Sequence, residues 1–127
     1  MKRKLACLLL AAAFVLPGLA RAVTDEDFEV KTTQNLMNLC TASANDLRQK
    51  EAIHFCHGYL VGAYAYHVAE NSGPEGKRLV CFPDPPPSRN EAIAMFLEWV
   101  KAHPQHMGEK PVDTEFRFLM ETWPCKR

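Results

Sequence analysis

The sequence predicts an all-α fold: a small disulfide-stapled bundle of four helices, arranged as two helical hairpins behind a cleaved signal peptide. Three observations predict it. An uninterrupted, proline-free stretch from Asp46 to Ser72 is long enough for five or more helical turns. Two further segments carry apolar residues at spacings of three and four. Four cysteines remain once the leader is removed, an even number in a short exported chain.

The leader comes first. Met1-Lys-Arg-Lys4 is basic, residues 5–15 are apolar, and Pro17 and Gly18 break the run before Ala20-Arg21-Ala22. A basic start, a short apolar core and a small-x-small site make a secretory signal peptide cut after Ala22. The apolar run is shorter than the roughly 20 residues a membrane span needs. The sequence thus divides into residues 1–22, the leader, and residues 23–127, one domain. Cutting removes Lys2, Arg3, Lys4 and Arg21 and no acids, so the formal charge goes from 0 to −4, 11 basic residues against 15 acidic. A mildly acidic domain is a poor partner for nucleic acid or anionic lipid.

Residues 23–31 are acidic and aperiodic and read as a loose arm. Thr32 or Thr33 caps a first helix with Leu36, Leu39 and Cys40 facing inward, ending near residues 42–44. Asp46 and Gln49 form a capping box for the central helix. On that helix Ile53, Cys56, Leu60, Ala63 and His67 share one face, widened by Ala52, Phe55, Tyr59 and Tyr66. Gly58 and Gly62 lie four apart, and each costs about 1 kcal/mol in a helix interior. Close packing of a second helix into the notch they leave would offset that cost.

Residues 71–76 are a loop by composition, and residues 79–82 a short apolar return. The proline run from Pro83 to Pro87 is a stiff connector. Ser88 and Glu91 match the capping box of the next helix. Ile93, Phe96, Leu97 and Val100 form its inward stripe, with Ala92, Met95 and Trp99 as a second strip beside it. Pro104 stops it. Pro111 suits the first position of a final helix whose stripe is Val112, Phe116, Leu119 and Trp123, stopped by Pro124.

Cys40, Cys56, Cys81 and Cys125 allow three pairings. Bracketing each hairpin favours Cys40 with Cys56 and Cys81 with Cys125, against Cys40 with Cys125 and Cys56 with Cys81. The favoured bridges would stabilise by about 3 and 4 kcal/mol in the loop-entropy model. Neither a metal centre nor a catalytic site is predicted. His54 and His57, and His103 and His106, have zinc-like spacing but lack a third ligand or an H-E-x-x-H frame. Glu51, Glu70, Glu98, Glu115 and Glu121 read as solvated, and there is no nucleophile elbow, phosphate loop or triad. A binding protein without cofactor, rather than an enzyme, fits this chain.

Phe55-Cys56-His57-Gly58-Tyr59-Leu60-Val61-Gly62 resembles the C-x-G-Y-(I/L)-x-G motif of the Rap/Tai immunity proteins, which protect bacteria against cell-wall amidases delivered by type VI secretion. Residues 36–40, Cys81-Phe82-Pro83, residues 97–104 and Trp123-Pro124-Cys125 follow the family order. Gly58, Tyr59 and Gly62 are then fold-building motif residues. Connector prolines 85–87 and Tyr64-Ala65 depart from the family pattern. The resemblance implies a periplasmic, helical, homodimeric protein that plugs an amidase active-site cleft. It points to Met95, Trp99, His103, Gln105, His106, Met107, Glu109 and Lys110 as partner contacts. A second reading is an HdeA-like periplasmic acid-stress chaperone, in which five histidines and many acids would drive dimer dissociation at low pH.

Overall fold

A computed structural model describes residues 21–126. The signal-peptide expectation rests on residues 1–22 and so falls, apart from Arg21 and Ala22, outside the described residues. The chain forms α1 (Asp25–Phe28), α2 (Thr33–Cys40), α3 (Gln49–Glu70), α4 (Arg89–Ala102), a 3-10 turn (Pro104–His106) and α5 (Pro111–Thr122). The fold is all-α, as its sequence predicts, with one isolated bridge between Val80 and Pro124 among the described residues. The four predicted helices are α2 to α5. Both hairpins are stapled: Cys40 to Cys56 at a Cα separation of 5.2 Å, Cys81 to Cys125 at 4.9 Å. The main-chain bond from Cys81 N–H to the Trp123 carbonyl, 2.9 Å, holds the second staple in line.

Leu36, Leu39, Ala52, Cys56, Phe96 and Val100 are almost wholly enclosed and form the centre of the core. Ser88 and Glu91 cap α4 reciprocally, as their spacing predicts, and Ile93, Phe96 and Val100 face inward from it. Thr32 caps α2, with its side chain accepting from the Asn35 main chain.

Four expectations need correction. Residues 23–31 are not a loose arm. They hold α1, docked by the fully buried Asp27, which accepts from Thr24, Asn35 and Asn38. The following Val30 has φ 50°, a conformation a β-branched residue rarely adopts, where the chain bends into α2.

Asp46 does not form a box with Gln49. Its two oxygens accept instead from Val23 N–H at 2.7 Å and Arg48 N–H at 2.8 Å, and Arg48 takes the N-cap position. The carboxylate thereby ties the start of the described domain to the start of α3.

The third correction concerns α5, which is turned relative to the predicted stripe. Val112 is exposed, while Pro111, Thr114, Glu115, Phe118 and Leu119 are buried. Two interactions select this face. Thr114 shares a 2.7 Å hydroxyl bond with Thr33 of α2, so a polar residue can go inside. Phe118 stacks edge-on against Phe96 and Trp123. The rotation takes Glu115, which reads as solvated in sequence, into the interior.

Finally, no helix packs into the glycine notch. A Cβ at Gly58 or Gly62 would meet nothing within 4 Å. The core face of α3 is Ala52, Cys56 and Leu60, and the glycines lie on its open side with exposed Phe55 and Tyr66.

Candidate functional site

Two regions carry groups that the fold alone does not require. The first is the segment from His103 to Lys110, between α4 and α5. Its backbone is pinned to α2: Thr33 N–H donates to the Glu109 carbonyl at 2.8 Å and Gln34 N–H to the Met107 carbonyl at 2.9 Å. The Thr33 hydroxyl makes a second bond to the Glu109 carbonyl at 3.1 Å. Inside the segment the Trp99 indole stacks on His103 with ring centres 4.0 Å apart and on His106 at 5.5 Å. His103 Nδ1 lies 2.7 Å from the Trp99 carbonyl. The His106 ring is 3.0 Å from the Glu109 carboxylate, and Arg117 reaches the other Glu109 oxygen at 3.3 Å. His106 first, and Arg117 after it, hold the Glu109 carboxyl below its usual range against a smaller opposing effect of burial.

This geometry divides the eight predicted partner contacts into two groups. Trp99, His103, His106, Met107 and Glu109 are half-buried and engaged within the protein, shaping and anchoring the loop. Met95, Gln105 and Lys110 are exposed. Trp99 is a loop-packing residue, its indole N–H buried without a hydrogen-bond partner. Tyr59, on α3, is half-buried with its hydroxyl at the Val112 main chain; burial raises its phenol above the ordinary range, and the neighbouring Glu115 raises it further.

The second region is a half-open cavity of about 220 Å³ between α3, α4 and α5. Leu60, Tyr64, Phe82, Ile93, Phe96 and Phe118 are among its apolar lining, with Glu115 also on the wall and Arg89 exposed. Glu115 is 4% exposed and its Oε2 is buried without a hydrogen-bond partner. Burial pushes its carboxyl up to about 8. Sequence reasoning missed this site. The one available signal was that Glu115 falls three residues before Phe118 and four before Leu119, on the face those residues bury.

No group of three or more histidine, cysteine or acidic side chains is placed to hold a metal ion among the described residues, and none of their helices is long and apolar enough to cross a membrane. All four predicted disulfide cysteines are bridged.

No curated protein and no solved structure matches the chain. The family model of the Rap1a immunity proteins does match, over residues 32–125, taking in α2 to α5 and both disulfides. With most of its length inside that match, the chain belongs to the Rap1a immunity protein family.

Proposed function

We propose that this immunity protein acts in the periplasm, where it binds a peptidoglycan amidase delivered by a type VI secretion system and occludes the amidase active site. The family match across both stapled hairpins carries this reading and favours it over the acid-stress chaperone. An immunity family implies an effector partner and a binding rather than a catalytic role.

Three features support the finer parts. Two disulfides suit an oxidising compartment. Val23, the first residue after the expected cleavage site, is buried with its main-chain nitrogen on Asp46. Cleavage after Ala22 would turn that amide into an ammonium facing a carboxylate. The loop at residues 103–110 is held at several points before any partner arrives, which lowers the ordering cost of binding. Exposed Gln105 and Lys110 on it, with exposed Met95 one helical turn from Trp99, form the contact surface of the proposal. Homodimerisation belongs to the same reading. The open stripe of Phe55, Gly58, Gly62 and Tyr66 on α3 would let a second copy's helix approach closely.

The test pairs the protein with a type VI amidase effector from the same cells and follows peptidoglycan cleavage. Gln105→Glu combined with Lys110→Glu should weaken inhibition about tenfold or more while leaving helicity and thermal stability unchanged. Full inhibition by this double variant would move the contact surface elsewhere. Failure of the wild type to bind any such amidase would remove the amidase from the proposal.

A further inference from the structure

The cavity between α3, α4 and α5 lies outside the loop proposed to meet the effector, and its chemistry is of a different kind. Its volume of about 220 Å³ exceeds the roughly 150 Å³ of a dry protein cavity that takes up benzene. The space fits one ring with a short polar tail. The wall is aromatic and aliphatic, from Leu60, Tyr64, Phe82, Ile93, Phe96 and Phe118. Into this lining the fold brings one carboxyl that it does not satisfy. Glu115 is 4% exposed, and its Oε2 has no hydrogen-bond partner. A buried polar atom left unpaired costs free energy that a bound group could recover.

We propose that this cavity is a binding site for a small apolar molecule bearing a carboxamide, with the amide pairing with the Glu115 carboxyl and the apolar body filling the aromatic wall.

The head group follows from the state of Glu115. With an apolar wall around it and no donor on Oε2, the carboxyl is pushed towards its neutral form. A neutral carboxyl offers one O–H donor and one carbonyl acceptor side by side. A carboxamide presents the complementary acceptor and donor, so it can pair with the carboxyl with no charge buried. An ammonium head would need Glu115 to ionise inside an apolar wall, at a large desolvation cost. It would also meet a like charge, because the other charged side chain on the cavity wall is the exposed guanidinium of Arg89. A carboxylate head could accept the Glu115 O–H only by taking its own charge into the apolar wall, at a similar desolvation cost.

The experiment uses oxidised protein expressed from the full chain, at pH 7, with three probes of one shape: 3-phenylpropanamide, 3-phenylpropan-1-amine and 3-phenylpropanoate. Binding is read from amide chemical shifts in nitrogen-15 spectra. The amide should give saturable shifts at α3, α4 and α5 around the cavity, with the amine and the acid at least about tenfold weaker. Glu115→Leu should lower amide affinity about tenfold. Glu115→Gln keeps a donor and an acceptor at the same place and should bind the amide within about threefold of wild type. Ala92→Phe, which fills the cavity from α4, should abolish binding independently of residue 115. Absence of saturable shifts, equal binding of all three probes, preference for a charged probe, or unchanged amide affinity in Glu115→Leu would each overturn the proposal.

Discussion

The domain encloses two acidic side chains and treats them in opposite ways. Asp27, wholly buried near the N-terminal end, accepts from Thr24 N–H at 2.9 Å, Thr24 Oγ1 at 3.0 Å, Asn38 at 2.8 Å and Asn35 at 3.3 Å. Burial pushes its carboxyl up, but Asn38, Thr24 and Asn35 together outweigh burial and bring it below its ordinary range. Solvent touches almost none of either acid, yet Glu115 lies deeper in the domain with a bare Oε2, and burial acts unopposed to lift its carboxyl to about 8. Depth and donors act together here: Asp27 sits close under the surface among its donors, and Glu115 sits deep without them. The donors of Asp27 all lie within eleven residues of it. Its ion is a local structural device that docks α1. Glu115 receives no such help, and that separates a finished structural group from one open to a ligand.

The largest expected effect tests this separation by pH. Glu115 has a folded value raised far above its unfolded one, near 4.5. Its neutral form favours the fold below about pH 4.5, and that advantage is lost progressively as pH rises to about 8. The loss is on the order of 4 kcal/mol. Urea unfolding should therefore find Glu115→Leu more stable than wild type at pH 8, with the gap closing towards pH 5. A leucine variant less stable than wild type at pH 8 would show that the carboxyl has a partner and would erase the contrast with Asp27.

Asp27→Ala should act in the other direction and somewhat less strongly. It strands donors on Thr24, Asn35 and Asn38, at a cost of roughly 3 kcal/mol. The folded Asp27 value is depressed, so its contribution is present above the unfolded carboxylate range near pH 4 and is lost as pH falls through the folded value. Denaturant midpoints at pH 7 would measure the loss. A change below about 0.5 kcal/mol would mean that α1 adds nothing to the fold and that residues 23–31 behave as a loose arm.

These two acids also mark where the sequence was readable. The capping box of α4, the long proline-free α3 and the helix stops at Pro104 and Pro124 follow from local rules, and the structure holds them; of three possible cysteine pairings it holds the favoured one. The order of motifs along residues 36–125 was enough to reach the family. What was not legible depended on contacts distant in sequence. Thr33 and Thr114 are 81 residues apart, yet their hydroxyl pair turns α5 and takes Glu115 inside. The glycines of α3 signalled close approach, but their open surroundings within one chain could be known only after α2, α4 and α5 had packed on the other side. Trp99 reads in sequence as part of a second apolar strip and a partner contact, and its cover is not legible because the imidazoles that stack on it lie beyond the end of its helix. Asp27 was legible in part: Thr24 three residues before it is a cap signal, but nothing local announces Asn38 as a donor.

A third acid, half-buried Asp46, sharpens the comparison and carries the smallest expected effect. Val23 N–H first, and Arg48 N–H after it, hold its carboxyl below the ordinary range. Cleavage after Ala22 would replace the first donor by an α-ammonium, turning a neutral hydrogen bond into a charge-assisted one. Protein beginning at Val23 should then melt higher at pH 7 than protein retaining Ala22. The advantage should shrink as pH falls through the folded value of Asp46, because a depressed carboxylate contributes only while ionised. Asp46→Asn should lower the melting temperature of both forms by less than Asp27→Ala does, and should remove the difference between them. If Asp46→Asn destabilises the two forms equally, the new ammonium makes no pair with Asp46, and the carboxylate belongs with Asp27 as a group completed by main-chain and side-chain donors alone.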